Sequence, residues 1–239
     1  MKVIAGPCQH ESLSSSLIIA SHCKKICDKY NIDYIFKASF DKANRTYEYS
    51  ERGLGINQCK EDFDVLRGDF KVTTDFHETQ QIKDLEVDVI QIPAFLCKQT
   101  DLLLSAKNTG KIVNVKKGQF VPPEQVDGIL SKIGNDDVWI TERGHVFGYN
   151  RTVIDFEGIK YMQNNYDVPI FLDITHSISE RMYALTMAKL AGTMGVDLFV
   201  EVHIDPNIAP SDGKKSIFLK DFENLIKCYY DCRKGMGQN

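Results

Sequence analysis

The chain has 239 residues, of which 43% are hydrophobic and 26% are charged, and its formal net charge is −4. These values are typical of a globular protein of one large domain or two small ones. The negative charge gives no support for nucleic acid or an anionic membrane as a partner, because surfaces that bind phosphate backbones are usually basic.

The sequence also predicts a cytoplasmic protein. No apolar run approaches the roughly 18 residues that would cross a membrane, and the N-terminus lacks the basic and apolar regions of a secretion signal. The seven cysteines never form a Cys-x-x-Cys pair. Without a signal they are expected to be reduced thiols.

The first predicted strand ends at a cysteine. It begins at Val3 and reads VIAGPC, so Gly6 and Pro7 break the strand immediately before Cys8. A cysteine in this place could be a buried core thiol, a nucleophile or a metal ligand.

Seven similar runs follow along the chain. Most are three or four apolar or β-branched residues that turn polar, as strands buried on both faces of a parallel sheet do. In chain order they are YIFKASF from Tyr34, KVTTDF from Lys71, VIQIPAF from Val89, IVNVKKG from Ile112, VWITERG from Val138, IFLDITH from Ile170 and LFVEVH from Leu198.

Helical patterns occupy most of the intervals between these runs. Apolar residues recur in them every three or four positions, and several begin with Thr, Ser or Pro and end with Gly, as capped helices do. They are LIIASHCKKICDKY from Leu17, NQCKEDFDVLRGDF from Asn57, TDLLLSAKNTG from Thr100, PEQVDGILSKIG from Pro123, SERMYALTMAKLAGTMG from Ser179 and LKDFENLIKCYYDCRK from Leu219. The weakest interval, FEGIKYMQNN from Phe156, predicts a short helix at best.

Eight strands that alternate with helices predict an α/β fold, a (β/α)8 TIM barrel, formed by a single catalytic domain over residues 1–239. A doubly wound open sheet is the structural alternative. No linker, repeat or low-complexity segment divides the chain.

Polar and charged residues collect at the predicted C-terminal ends of the strands, where TIM barrels place their active sites. One group is cationic, and a buried cluster of like charges is costly unless an anion neutralises it. The group consists of Lys37, Lys42, Arg45, Lys116, Lys117 and Arg143. It predicts a phosphorylated small substrate. The alternative is that some of these cations pair with nearby carboxylates, namely Asp41, Asp75, Glu78 or Glu142.

A second group suits a divalent metal ion. A thiolate, an imidazole and two carboxylates can bind zinc, ferrous iron or manganese. The candidates are Cys8, His176, Glu201 and Asp212, at the ends of the first, seventh and eighth strands, which are neighbours in a closed barrel. Each also has a structural interpretation: a core thiol, a helix cap and two surface carboxylates.

Several long motifs are shared with one enzyme family. They are FKASFDKANR from Phe36, TTDFHE from Thr73, VIQIPAFLCKQTDLL from Val89, NVKKGQF from Asn114, TERGHVFGYN from Thr141, DITHS from Asp173 and the segment from Glu201 to Gly213. In this order, over nearly the whole chain, they resemble 3-deoxy-D-manno-octulosonate 8-phosphate synthase. They resemble the related 3-deoxy-D-arabino-heptulosonate 7-phosphate synthase less closely.

The resemblance implies a homotetrameric barrel that condenses phosphoenolpyruvate with arabinose 5-phosphate and water. The implied substrate-binding residues are Lys37, Ser39, Lys42, Asn44, Arg45, Gln91, Lys116, Gln119 and Arg143. Among them, Asn44 and Arg45 would hold the sugar phosphate, with Arg45 reaching a neighbouring subunit's site. The implied catalytic residues are Lys116, His176, Asp75 and Asn44.

The family has metal-dependent and metal-independent forms. The metal-dependent form carries Cys in the first-strand motif, where the other form carries Asn. The GPC motif resembles the metal-dependent form, and this implies that Cys8, His176, Glu201 and Asp212 are its four metal ligands.

Three departures from the family pattern leave the acceptor open. The long loop that closes over the substrates after DITHS is shortened here, since a helix is expected near Ser179. Thr46 to Tyr49 replace a Ser-Ser-Ile-His type sequence, with Glu48 unfavourable near a phosphate, and two lysines follow Gly213. The alternatives are a related phosphoenolpyruvate-dependent synthase with a different aldose, and a non-catalytic sugar-phosphate-binding barrel.

Overall fold

Eight parallel strands close into a barrel in the computed structural model of the chain, which describes residues 1–146 and 151–235. Each strand pairs with the next in sequence, and β1 pairs with β8 in the register Val3–Leu198 to Gly6–Glu201. A short ninth strand continues alongside the end of β8. The strands are β1 (Lys2–Gly6), β2 (Asp33–Lys37), β3 (Lys71–Asp75), β4 (Val89–Ile92), β5 (Ile112–Lys116), β6 (Val138–Glu142), β7 (Ile170–Asp173), β8 (Asp197–His203) and β9 (Ile217–Phe218).

Helices follow the strands and form the outer layer. They are α1 (Leu13–Lys29), α2 (Ile56–Arg67), α3 (Thr79–Asp84), α4 (Thr100–Lys107), α5 (Val126–Ile133), α6 (Phe156–Asn165), α7 (Ala184–Met194) and α8 (Phe222–Gly235). Closure of the parallel sheet confirms the predicted TIM barrel and excludes the open sheet. Within residues 1–146 and 151–235, no helix has both the length and the apolar character needed to cross a membrane.

The interior of the barrel is built in layers, because side chains two positions apart on a strand face the same side. The lower layer is apolar and consists of Ile4, Ile35, Val89, Trp139, Phe171 and Phe199. Two positions further along the same strands stand Gly6, Lys37, Gln91, Thr141, Asp173 and Glu201. The interior therefore changes from apolar to polar and charged toward the C-terminal ends of the strands.

A larger apolar cluster fills the space between the strands and the helices. It contains the side chains of Cys23, Cys27 and Cys59, which pack there as ordinary core groups. All seven cysteines are free thiols. Most of the chain's thiols thus have a packing role, and Cys8 has to be explained separately.

Two helical segments, α3 and α7, differ from the sequence prediction, whereas α6 occupies the segment predicted as a short helix. α3 has no counterpart among the predicted helices, and a reciprocal capping box between Glu78 and Gln81 supports its first turn in place of a long apolar pattern. α6 extends over ten residues, and the side chain of its cap Asp155 accepts a hydrogen bond from the Gly158 N–H. α7 begins at Ala184 after one 3-10 turn, not near Ser179, because Glu180 has an extended backbone (φ −146°, ψ 148°) and helical structure can begin only after it.

Candidate active site

The C-terminal ends of the strands open onto a cavity of about 290 Å³. Ser39 and Gln91 lie behind its wall, where both bind Asp75. Cys8 and Glu201 lie beneath it, within hydrogen-bonding distance of lining residues. The predicted site residues that line the cavity are Lys37, Lys42, Asn44, Arg45, Asp75, Lys116, Gln119, Arg143, His176 and Asp212.

The end of β1 carries Cys8 to the floor of this cavity. Gly6 is the last residue of β1, and a Cβ atom there would overlap the carbonyl oxygen of Lys37 on β2. Only glycine therefore allows the backbone to approach so closely. Cys8 is 4% exposed, and its carbonyl oxygen accepts a hydrogen bond from Lys37 Nζ at 2.9 Å. The position of the thiol is thus fixed through both the backbone turn and Lys37.

The four predicted metal ligands converge, and we call Cys8, His176, Glu201 and Asp212 the donor cluster. Ligand atoms of Cys8, Glu201 and Asp212 all lie within 4.8 Å of one another. Cys8 Sγ is 3.1 Å from Asp212 Oδ2. His176 Nε2 is 3.5 Å from Glu201 Oε1 and 3.9 Å from Asp212 Oδ2. One sulfur, one nitrogen and two carboxylates that face one another match the ligand types of a divalent transition metal.

Asp173, at the end of β7, sets the orientation of His176. Its Oδ2 lies 2.7 Å from His176 Nδ1, and its Oδ1 accepts backbone N–H bonds from Thr175 and His176. Burial would raise the pKa of this carboxyl, but His176 and Lys116 hold that pKa well below its usual range. The ionised carboxylate therefore accepts the Nδ1 proton, and this leaves Nε2, which faces Glu201, as the nitrogen that could bind a metal. Carboxylate–histidine–metal arrangements have this form.

Two further observations fit a bound cation. Glu201 is fully buried, and its Oε2 has no hydrogen-bond partner among residues 1–146 and 151–235. Burial, followed by the charge of Glu201, raises the pKa of the Cys8 thiol to about 12. A divalent ion would satisfy the unpaired carboxylate oxygen and stabilise the thiolate. The residues present therefore fit the predicted metal.

A cation cluster, defined as Lys37, Lys42, Lys116 and Arg143, lies around the same cavity. Lys37 connects it to the donor cluster, because its buried Nζ donates to Glu201 Oε1 at 3.1 Å. Burial alone would lower the pKa of Lys37, but Glu201 and then Asp75 outweigh burial and raise it. Lys37 is therefore a permanent cation inside the barrel.

Asp75 is the counter-ion of Lys42. Lys42 Nζ lies 4.0 Å from Asp75 Oδ2. Ser39 Oγ donates to the same oxygen at 2.6 Å and accepts a hydrogen bond from Lys42 at 2.9 Å, while Gln91 donates to Oδ1. Burial would raise the pKa of Asp75, but the surrounding lysines, first of all Lys37, hold it far below its usual range. Ser39 and Gln91 thus orient Asp75 from behind the cavity wall.

Lys116 and Arg143 are the members of the cation cluster whose pKa values burial lowers. Lys116 Nζ donates to Asp173 Oδ2 at 2.7 Å and lies 3.5 Å from the centroid of the Phe199 ring. Burial lowers the pKa of Lys116, and Asp173 offsets part of that effect. Arg143 has a buried Nη1 with no hydrogen-bond partner in the described part of the chain. An unpaired guanidinium N–H in a cavity wall is suited to a phosphate or carboxylate ligand.

The segment after β2 forms the outer wall of the cavity. Arg45 Nη1 donates to Ser211 Oγ at 3.0 Å, and its Nη2 donates to Gln9 Oε1 at 2.9 Å. Asn44 and Thr46 are exposed and line the cavity beside it. Arg45 therefore lies at the cavity of its own chain, and its reach into a neighbouring subunit stays a prediction.

Two charged residues considered from the sequence lie away from the cavity. Lys117 is fully buried, and its Nζ lies 3.1 Å from Glu142 Oε2 and 2.9 Å from His145 Nε2. This pair and the Lys42–Asp75 pair are the carboxylate pairings that were named as the alternative to anion binding. Glu48 is exposed and does not line the cavity, so it does not oppose an anion there. Residues 147–150, at the end of the motif that begins at Thr141, lie outside the described residues.

The structure adds Asp173, His77 and Ser211 to the predicted site residues. Asp173 could have been predicted from the sequence, since it stands three positions before His176 at the end of a strand. His77 could also have been predicted, because it follows Asp75 by two positions, and burial lowers its pKa. No sequence pattern pointed to Ser211, because it belongs to the irregular segment between β8 and β9.

The sequence matches known proteins over almost its whole length. The DAHP synthetase I family matches residues 1–236. Proteins named 2-dehydro-3-deoxyphosphooctonate aldolase are 45% identical to the chain in Rhodopseudomonas palustris (strain ATCC BAA-98 / CGA009), 43% in Bradyrhizobium diazoefficiens and 43% in Nitrobacter hamburgensis, each over 246 residues. The matches cover 95% of this chain and 86%, 87% and 86% of these relatives, respectively. The shared name is a synonym of octulosonate 8-phosphate synthase, so the predicted resemblance is confirmed.

Proposed function

The chain belongs to the DAHP synthetase I family, and we propose that it condenses phosphoenolpyruvate with arabinose 5-phosphate and water. The products are 3-deoxy-D-manno-octulosonate 8-phosphate and inorganic phosphate. The name of the relatives confirms this predicted reaction class. The observation that carries it in the structure is a single cavity between the cation cluster and the donor cluster.

In this proposal the cation cluster binds phosphoenolpyruvate. Lys116 and Arg143 hold its phosphate and carboxylate, and the unpaired Nη1 of Arg143 offers a donor for one of these anions. Lys37 and Lys42 add fixed positive charge from the ends of β2 and its following turn. Asn44 and Arg45 lie at the outer wall, where they would hold the phosphate of the aldose.

Held in this way, the two substrates can react without covalent catalysis by the protein. C3 of phosphoenolpyruvate attacks the aldehyde carbon, positive charge develops at C2, and water adds there before phosphate leaves. The cavity contributes proximity and preorganised charge. Asp75 contacts the acceptor sugar, and Lys116, whose pKa burial lowers, is the candidate for proton transfer to or from the reacting oxygen.

Cys8, His176, Glu201 and Asp212 would hold the divalent ion, which can be zinc, ferrous iron or manganese. When bound, such an ion supplies a Lewis acid for the aldehyde or a neighbouring hydroxyl, or an acidified water. Asp173 keeps the Nε2 lone pair of His176 on the side of the other three donors. The proposed condensation joins two carbon atoms of the substrates without a covalent enzyme intermediate, so it needs no nucleophilic thiol from Cys8.

A different aldose acceptor is the second candidate, and one observation favours it. Between His176 and Ser211, none of the described residues lines the cavity. The segment after β7 therefore leaves the acceptor side open, and erythrose 4-phosphate or an unphosphorylated aldose could enter there.

Release of inorganic phosphate from phosphoenolpyruvate tests the reaction and the acceptor together. The purified protein, with zinc, ferrous iron or manganese added, is assayed with arabinose 5-phosphate, erythrose 4-phosphate and unphosphorylated aldoses. We expect the highest kcat/KM with arabinose 5-phosphate and its loss in Arg143→Ala. Arg52→Ala is the matched control, because Arg52 is 61% exposed and pairs with Asp41 outside the cavity. Absence of release with every aldose would leave a non-catalytic sugar-phosphate-binding barrel.

Metal analysis tests the donor cluster. Near-stoichiometric iron, zinc or manganese is expected in the purified protein and should be lost in Cys8→Ala. Cys23→Ala is the control, since Cys23 is an equally buried thiol of α1 outside the site. Metal content that Cys8→Ala does not change would remove Cys8 from the ligand set.

A homotetramer and a cytoplasmic location complete the proposal. Light scattering of the purified protein should give a mass close to four chains of 27.2 kDa. A monomeric mass together with full activity would contradict the proposed contribution of Arg45 to a neighbouring site.

A further inference from the structure

The loop between β8 and β9, residues 204–216, carries Asp212, and we call it the metal loop. Asp212 has a φ of +50°, a left-handed conformation that non-glycine residues seldom adopt. The backbone N–H groups of Lys215 and Ser216 both donate to its carbonyl oxygen at 2.9 Å. A ligand on an irregular loop in an uncommon conformation has to be held in place by its surroundings.

Arg181, in the segment after β7, contacts the metal loop and the following strand β9, on both sides of Asp212 in sequence. Its backbone N–H donates to Lys214 O at 3.0 Å. Its Nη2 donates to Asn207 Oδ1 at 3.2 Å. Its guanidinium carbon lies 4.7 Å from the centroid of the Phe218 ring in β9. One side chain thus contacts the chain five residues before Asp212 and six residues after it.

We propose that Arg181 is a positioning residue that holds the metal loop in the conformation in which Asp212 faces Cys8 and His176. The short segment after β7 therefore braces a metal ligand instead of covering the cavity. A loop that is already ordered loses less conformational entropy when the ion binds, so its affinity for the ion is higher. This inference rests on the proposed metal site.

Zinc affinity of the full-length protein tests the proposal. The metal-free protein competes for zinc with a chromophoric chelator, and the dissociation constants of wild type and Arg181→Ala are compared. We expect Arg181→Ala to weaken zinc binding about tenfold. Loss of a direct outer-shell contact to a ligand typically costs about 10–100-fold in metal affinity, and Arg181 contacts the loop around Asp212 rather than its side chain.

Lys220→Ala is the matched control. Lys220 is exposed and its Nζ lies 5.1 Å from the centroid of the same Phe218 ring, so it shares the ring contact of Arg181. Lys220 lies outside the metal loop. We therefore expect the zinc affinity of the Lys220→Ala protein to stay within about twofold of wild type, the effect of a surface substitution of up to about 0.5 kcal/mol.

Asn207→Ala removes only the side-chain hydrogen bond from Arg181, and we expect a loss of zinc affinity between those of Lys220→Ala and Arg181→Ala. It also serves if Arg181→Ala does not fold.

Cobalt(II) distinguishes positioning of Asp212 from general destabilisation. In saturated Arg181→Ala the thiolate-to-cobalt charge-transfer band should persist, because Cys8 is untouched, while the ligand-field bands change as Asp212 loosens. A merely structural role would lower the melting temperature of the metal-free protein and leave the saturated spectrum unchanged. Wild-type affinity and spectra in both Arg181→Ala and Asn207→Ala would overturn the inference. A wild-type protein that binds no metal would instead refute the metal site itself.

Discussion

The donor cluster and the cation cluster lie at the same cavity but differ in how their charges are satisfied. In the donor cluster, Glu201 Oε2 lacks a hydrogen-bond partner among the described residues, and the pKa of Cys8 is raised to about 12. In the cation cluster, each lysine already has a carboxylate: Lys37 has Glu201, Lys42 has Asp75 and Lys116 has Asp173. The donor cluster therefore keeps an unpaired acceptor that a cation would satisfy, whereas the lysines of the cation cluster are paired without a substrate.

This difference predicts how each cluster responds to its ligand. Buried ion pairs contribute little net stability, but removal of one partner leaves an uncompensated buried charge. A substrate anion must accordingly compete with Asp75 and Asp173 for the lysines. Lys37 and Asp173 each contact both clusters, and substitutions there should affect both.

The largest effect is expected from Lys37→Met. Without the ammonium group, fully buried Glu201 would lose its lysine partner and keep only His176 Nε2, at 3.5 Å, among the described residues of the metal-free protein. The free energy of unfolding should therefore fall by about 3–5 kcal/mol. Urea denaturation of metal-free protein measures this. The double variant Lys37→Met/Glu201→Gln should recover most of the loss, because the buried charge is then gone. Single and double variants of equal stability would mean that the pair does not compensate Glu201.

Asp173→Asn should come next. The amide has one oxygen, so it cannot accept both at Oδ2, from His176 and Lys116, and at Oδ1, from two backbone N–H groups. We therefore expect metal affinity to fall by about 10–100-fold and kcat/KM to fall with it. Isothermal titration with zinc and the phosphate-release assay measure the two effects. Ser177→Ala is the control, because Ser177 Oγ donates to the backbone oxygen of Asp173, at 2.6 Å, and not to its carboxylate. Metal affinity equal to wild type in Asp173→Asn would show that the histidine needs no carboxylate to orient it.

A smaller effect is expected from Lys116→Arg, and it should depend on pH. Lys116 must carry its proton to bind an anion, and burial lowers its pKa from 10.5. As pH rises through this lowered pKa the cation is lost, so kcat/KM should fall on the alkaline side at a pH below 10.5. Arginine stays charged throughout this range, so kcat/KM of the Lys116→Arg variant should not show this alkaline decrease. At neutral pH its kcat/KM should be about tenfold lower, because the guanidinium does not reproduce a buried point charge. If the alkaline decrease of kcat/KM is unchanged in Lys116→Arg, another group must cause it.

The smallest effect is expected from Glu48→Gln. Its exposed side chain lies outside the cavity wall, so KM for the sugar phosphate should change by less than about twofold. Thr46→Ala, in the adjoining wall, is the comparison and should raise that KM more. Initial rates at varied arabinose 5-phosphate measure both. A clearly lower KM in Glu48→Gln would restore the sequence-based expectation that this carboxylate opposes the phosphate.

Much of the fold followed from local pattern. The eight strands were recognisable because each combines an apolar run with a polar end, and β1 and β8 close the barrel where their registers meet. α3 was missed because its first turn is capped by side chains rather than marked by apolar periodicity. The start of α7 was misplaced because Glu180 adopts an extended backbone conformation, which the helical pattern around it does not indicate.

The sequence by itself determined which chemical groups reach the mouth of the barrel. Alternation along a strand places every second side chain inward, so Cys8, Lys37 and Glu201 could be assigned to one end from their positions alone. Only the tertiary structure decided which of these groups pair. Lys37 and Glu201 are 164 positions apart, Arg45 and Ser211 are 166 apart, and Lys116 and Asp173 are 57 apart. A hydrogen bond requires agreement within a few tenths of an ångström, and barrel closure and loop packing set those distances.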